Sequence, residues 1–308
     1  MNFPSIDKYI TETDTVITSN EYSRKGVHIP DIIGEYGGGT MAALRTRLPI
    51  MHIMVSCMVQ AMKSAKSITK NPKLGQTKIT SEQLAELEEY AKRIGVSDIG
   101  YTKVDRDMIF KGEQILYENA IVFTIEMKKS EIDTAPSKTA IREIFRTYNQ
   151  LGVIVNKISK FLRKQGFNTM AAPAIGGAVS YVPLAQKAGL GVIGKHGLLI
   201  SDKDFGPSLR LAAVYTDIDN LPFCKENPHM WVKDFCKTCN KCVRSCPAGA
   251  IYENSIAVNG NENTRQCIDN SKCATPFAND YGCTVCVKSC TFYNGDYNKI
   301  KNAFLEKS

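Results

Sequence analysis

The sequence predicts an α/β (α+β) protein in two parts, an alternating helix and strand domain on a mixed sheet followed by a small cysteine-rich module. Three observations carry this reading. Ten of the 11 cysteines fall between Cys224 and Cys290. Amphipathic helix patterns alternate with apolar runs of strand length from about Thr80 to Asp217. With 308 residues, 43% hydrophobic and 23% charged, the chain is long enough to bury a sizeable core as one large domain or two modest ones. The same composition excludes disorder, collagen-like repeats and a membrane bundle.

Residues 1–80 are expected to form a mostly helical first region. GEYGGGT at 34–40 lacks the spacing of a nucleotide loop and has no Lys-Ser or Lys-Thr after it, so it reads as a plain loop. LPIMHIMVSCMVQAM is too short to span a bilayer and contains His52 and Gln60, which predicts a buried helix from Ile50 to about Ser67 after Pro49.

Residues 81–220 are better punctuated. Thr80 and Gln83 fit a capping box ahead of LAELEEYAKRIG, where Leu84, Leu87, Ala91 and Ile94 share one face and Gly95 supplies the stop. Strands are expected in VSDIGYTKV and NAIVFTIEM. A long helix from about Lys138 to Gln165 carries Ile141, Phe145, Tyr148, Val155, Ile158 and Leu162 on its buried stripe and ends at Gly166. FNTMAA, HGLLIS and LRLAAVYTD complete the sheet. After Asp219 loops shorten and cysteines take over, which sets a third region at 221–308.

CKTCNKCVRSCP places Cys236, Cys239, Cys242 and Cys246 at the bacterial ferredoxin spacing, followed by Pro247. In that spacing the first three thiolates wrap one 4Fe-4S cubane and the fourth turns toward a second cluster. Structural zinc needs no such run. Cys283, Cys286 and Cys290 supply a partner motif that is one cysteine short, and Cys267 and Cys273 are the candidates for the missing thiolate. The expected assignment is Cys236, Cys239, Cys242 and Cys290 on one cluster, and Cys246, Cys267, Cys283 and Cys286 on the other, with Cys273 as the rival of Cys267. Cys57, Cys224 and Cys273 are then free thiols.

Lys and Arg outnumber Asp and Glu 39 to 31, a formal charge of +8. Two cubane sites would each add about two negative charges, so this excess is weak support for a nucleic-acid partner. MNFPSIDKYITETDTVITSN has neither a basic nor an apolar export region, and no segment is expected to span a membrane. A cytoplasmic location follows, where clustered thiols are metal ligands more often than disulfides.

Two cubanes make an electron wire, and a wire needs a terminus. Upstream lies AGLGVIGKHGLLISDKDFGPSLRLAAVYTD, Ala188 to Asp217. Its Gly189, Gly191, Gly194 and Gly197 allow close backbone approach to a large planar ligand, and Phe205-Gly206-Pro207 turns the chain back. This segment, the incomplete second cysteine motif and LAELEEYAKRIGVSDIGYTKV together resemble the superfamily of epoxyqueuosine reductases and corrinoid reductive dehalogenases, over about Lys78 to Tyr293.

The resemblance implies a nitroreductase-like cobalamin-binding domain without flavin, followed by a ferredoxin-like double 4Fe-4S domain. It implies that an external ferredoxin or flavodoxin feeds the clusters, which reduce base-off cobalamin for work on a small-molecule substrate. Mapped onto this chain, the corrin site comprises Gly189, Gly191, Gly194, Lys195, Gly197, Leu198, Phe205, Gly206 and Arg210. Tyr148 is the implied proton donor, with a core tyrosine as the plain alternative. Lys195 is the second catalytic candidate, against a surface lysine. His196 reads as a cobalt ligand or proton donor, against an ordinary histidine.

Three departures matter. Thr147-Tyr148-Asn149 stands where epoxyqueuosine reductases carry an Asp-Tyr-His run, and the chain ends soon after the second motif, without the helical extension those enzymes carry; both argue against tRNA as a partner. Thr291 replaces the Pro that normally follows the last cysteine. An electron-transfer protein without its own substrate chemistry is the alternative function, and the missing Asp favours it.

Overall fold

A computed structural model describes residues 5–11, 14–19, 41–258 and 261–306. The Gly-rich stretch at 34–40 lies outside the described residues. The first helices are α1 (Met41–Arg47) and α2 (Met51–Ser67), separated by a 3₁₀ turn at Leu48–Ile50 that contains Pro49. They are followed by α3 (Ser81–Arg93), whose Thr80–Gln83 capping box forms as the sequence predicts. Next come β1 (Asp98–Lys103), β2 (Asn119–Glu126), the 27-residue α4 (Lys138–Lys164) and β3 (Thr169–Ala172). The α/β part closes with α5 (Tyr181–Lys187), β4 (Val192–Ile193), β5 (Leu199–Ile200) and β6 (Leu209–Thr216).

The main sheet runs β1-β2-β6-β3, and every neighbouring pair is antiparallel, with Ile121 opposite Val214 and Val214 opposite Ala171. This corrects the mixed sheet read from the alternation. β2 and β3 do run in the same direction, joined by α4, but β6 inserts between them from the opposite end. Alternating elements along a chain do not say where a later strand enters. HGLLIS also leaves the main sheet, because its β5 pairs with β4 in a two-stranded ribbon.

Both faces of the sheet are covered, which is why β2 is buried along nearly its whole length. Ala120, Val122, Ala213 and Tyr215 point to a core shared with α5. Ile121, Phe123, Ile125 and Val214 point to the other, against Leu87 of α3 and Leu151, Val155, Ile158 and Leu162 of α4. A third core joins Ile141, Ile144 and Phe145 of α4 to Val232, Val287, Cys290, Phe292, Tyr293 and Tyr297 of the cysteine-rich module.

α2 is buried on one face only, another correction. Cys57, Ala61 and Ala65 face inward, while Met51, Val55, Val59 and Met62 are exposed. The inner face lies along α4, where Gly152 lets Gln60 approach closely, and Asn156 Nδ2 donates to the Gln60 carbonyl at 3.1 Å. Ser56 Oγ donates to Asn149 Oδ1 at 2.8 Å. The described part of the first region is therefore packed onto the α/β part. No helix among the described residues is long and apolar enough to cross a membrane.

Candidate functional site

The first three cysteines of the ferredoxin run depend on one backbone reversal. Helix α6 (Trp231–Cys239) ends at Asn240, which takes the left-handed conformation with φ 50°, and α7 (Lys241–Ser245) starts there. The reversal sets Cys236 and Cys239 of α6 beside Cys242 of α7, and Cys290, the N-cap of the short helix Thr291–Asn294, completes the wall. These four thiols line one cavity with Lys195, His196 and Thr291. Among the described residues no three His, Cys, Asp or Glu groups converge on a single-ion site. The four-thiol donor set suits a cubane.

The second group forms after the hairpin of β7 (Ile251–Val258) and β8 (Asn261–Ile268), which leads into α8 (Asn270–Asn279), capped by Asp269. Left-handed Tyr281, Cys283 and Thr284 then bend the chain into α9 (Val285–Lys288) and α10 (Thr291–Asn294), and α11 (Tyr297–Leu305) follows. Cys273 stands within electrostatic reach of Cys283 and Cys246, and Cys286 within reach of Cys273, Cys283, Cys242 and Cys246. Cys267 instead faces Cys242 and packs against Gly197. Its strand holds it toward the glycine-rich segment, whereas α8 carries Cys273 across to the second group. Cys267 and Cys273 thus stand toward different parts of the cysteine-rich module, a difference that neither spacing nor residue type signals.

Burial pushes the Cys236 and Cys273 thiols up to about 11 and Cys290 up to about 12. Without iron they stay protonated, and binding the metal must release their protons.

The glycines serve packing within the chain. A side chain at Gly191, which has φ 144°, would strike the Ile200 carbonyl, and one at Gly206, with φ 50°, would strike the Phe292 carbonyl. Gly189, Gly194 and Gly197 are closed by Cys224, by Ile200 with His196, and by Cys267. At each of these glycines protein atoms fill the side on which a Cβ would stand. Gly206→Ala should lower stability by roughly 1–3 kcal/mol, since strain adds to the clash. Gly249→Ala has a similar φ of 56° but open space, and should lose only about 1 kcal/mol. Thermal unfolding of both variants checks this difference.

Lys195 sits with the cysteines. Its Nζ donates to the Lys237 carbonyl at 3.2 Å and to Asn240 Oδ1, locking the left-handed turn. The cation beside Tyr148 is Arg210, whose Cζ lies 5.0 Å from the ring centroid. Arg210 Nη1 donates to the Leu209 carbonyl at 3.0 Å, while its buried Nε has no hydrogen-bond partner. Tyr148 is half-buried, edge-on to Phe145 at 5.6 Å, and packs on the third core with Leu198, Cys236 and Cys290. Phe205 packs on the first core. His196 is buried, and Leu198 N–H donates to its Nδ1 at 3.2 Å. Sequence reasoning missed Asn240, for which only the Asn between two cluster cysteines is a signal, and the pairing of Arg210 with Tyr148, for which there is none.

Residues 230–276 match the 4Fe-4S dicluster domain family. A tetrachloroethene reductive dehalogenase of Desulfitobacterium hafniense is 33% identical over 219 residues, 67% of this chain and 38% of that protein. An epoxyqueuosine reductase of Bacillus subtilis is 26% identical over 256 residues, 68% of this chain and 63% of its own length. Among solved structures, a catabolic reductive dehalogenase superposes with a TM-score of 0.72 at 17% identity, covering 93% of this chain and 43% of that one. The chain thus spans well under half the length of the dehalogenases it matches. With the dicluster module, both sets of relatives and the shared fold in agreement, the chain belongs to the superfamily of reductive dehalogenases and epoxyqueuosine reductases.

Proposed function

We propose that this chain is an iron-sulfur, corrinoid-dependent reductase of the dehalogenase type, taking electrons from an external ferredoxin or flavodoxin and delivering them to a small-molecule substrate. The observation that carries the reading is the Tyr148–Arg210 pair on the core that also holds Cys290. It sets a proton source and a cation beside the end of an electron wire. We assign Cys236, Cys239, Cys242 and Cys290 to one cluster, and Cys246, Cys273, Cys283 and Cys286 to the other, replacing Cys267 by Cys273.

The nitroreductase-like domain at 81–220 would hold the corrinoid and the ferredoxin-like domain at 221–308 the clusters. Gly189, Gly191, Gly194 and Gly197 shape the segment, while Leu198, Phe205 and Arg210 are the side chains offered to the ligand; the unpartnered Arg210 Nε fits an acceptor on it or on the substrate. A bound corrinoid would supply a reduced cobalt centre that acts as nucleophile or reductant. Tyr148 would hold the proton delivered to the product, and Arg210, stacked beside its ring, would position it. A reducing compartment such as the cytoplasm suits the thiols, all free in this chain.

A tRNA substrate is less well supported. Thr147 Oγ1 donates to the Ile144 carbonyl at 2.8 Å inside its own helix, and Asn149 is held by Ser56, so neither neighbour of Tyr148 offers an acid. The second reading, an electron carrier, draws on the closure of the glycine sides by protein atoms. Anaerobic production with cobalamin and metal analysis separates the two. About eight iron and one cobalt per chain supports the reductase, and about eight iron without corrinoid uptake leaves the carrier.

A further inference from the structure

Two side chains on the wall of the first cavity carry hydrogen atoms that the apo-protein leaves poorly used. Thr291 follows Cys290 directly, and its Oγ1 lies 3.3 Å from Cys239 Sγ. A metal-bound thiolate has no proton to give, so in the iron-loaded protein the threonine hydroxyl is the donor. His196 is 4% exposed, and its Nδ1 accepts from Leu198 N–H, which places the ring proton on Nε2. That Nε2 is buried and has no partner, while the ring lines the same cavity as Cys236, Cys239, Cys242 and Cys290. A buried N–H group is costly unless satisfied, and the acceptors a cubane would bring here are thiolate and sulfide sulfurs.

We propose that Thr291 and His196 donate O–H···S and N–H···S hydrogen bonds to the cluster held by Cys236, Cys239, Cys242 and Cys290, and thereby raise its reduction potential. Adding one electron makes the cluster more negative, so donors aimed at its sulfurs stabilise the reduced form more than the oxidised one. The electron is then held at the cluster whose cavity Lys195 and His196 connect to the glycine-rich segment. The inference rests on the cluster assignment proposed above and is independent of the corrinoid.

Dithionite titration of the anaerobic, iron-loaded full chain, followed by electron paramagnetic resonance, reads the two cluster potentials separately. Thr291→Val removes the hydroxyl at nearly constant shape, Thr291→Ser keeps it, and His196→Leu removes the ring donor. Val and Leu should each move the same one of the two potentials downward, by about tenfold in the reduction equilibrium, or about 59 mV for a one-electron couple. Ser should restore the parent value. Unmoved potentials in both variants at full iron overturn the proposal, as does a shift of different clusters by the two substitutions. A parent protein that takes up no iron on reconstitution would overturn the cluster assignment itself, a distinct outcome. If His196→Leu does not fold, the Val and Ser pair at Thr291 still decides.

Discussion

Cys273→Ser should cut iron from about eight to about four per chain, while Cys267→Ser keeps both clusters. Cys273 is within electrostatic reach of Cys246, Cys283 and Cys286, whereas Cys267 lies toward Cys242 and packs against Gly197, which is the basis of the proposed assignment. A cubane that loses one of its four thiolates loses both a bond and the charge that balances its iron. Metal analysis after anaerobic reconstitution, with the visible absorption of the clusters, reads the result. If Cys267→Ser is the variant that loses iron, the assignment is reversed. Loss of the second cluster should also abolish electron delivery, since the wire then has one centre.

Tyr148→Phe should lower turnover by about 10²–10⁴-fold, the usual range for loss of a positioned proton donor, with iron and cobalt content unchanged. Arg210 makes this specific to Tyr148, because its guanidinium lies 5.0 Å from the centroid of that ring. Arg210→Lys, which keeps the charge but not the planar guanidinium, should fall between parent and Tyr148→Phe. Reductant-driven chloride release from a panel of chlorinated alkenes and phenols measures the effect. Unchanged turnover in Tyr148→Phe would return Tyr148 to the role of a core residue.

Local features were legible because local chemistry sets them. The Thr80–Gln83 box starts α3, the stripe from Ile141 to Leu162 makes α4, and Gly95 and Gly166 end their helices at positive φ. The ferredoxin run was legible because its spacing is tied to one tight turn. Strand pairing was not, since the insertion of β6 between β2 and β3 depends on the path of the whole chain. The outward face of α2 was misread for a related reason: Met and Val look alike whether a neighbour covers them or not.

The amino-acid sequence alone determined the helices and caps of the α/β part and the ferredoxin spacing of Cys236, Cys239, Cys242 and Cys246, all of which are set by contacts within a few residues. Tertiary structure decided that Arg210 lies beside Tyr148, that Lys195 holds the Asn240 turn, and that Gly206 closes against a protein carbonyl. Those outcomes join residues tens of positions apart, and the length of chain between them leaves their separation undetermined until the cores pack.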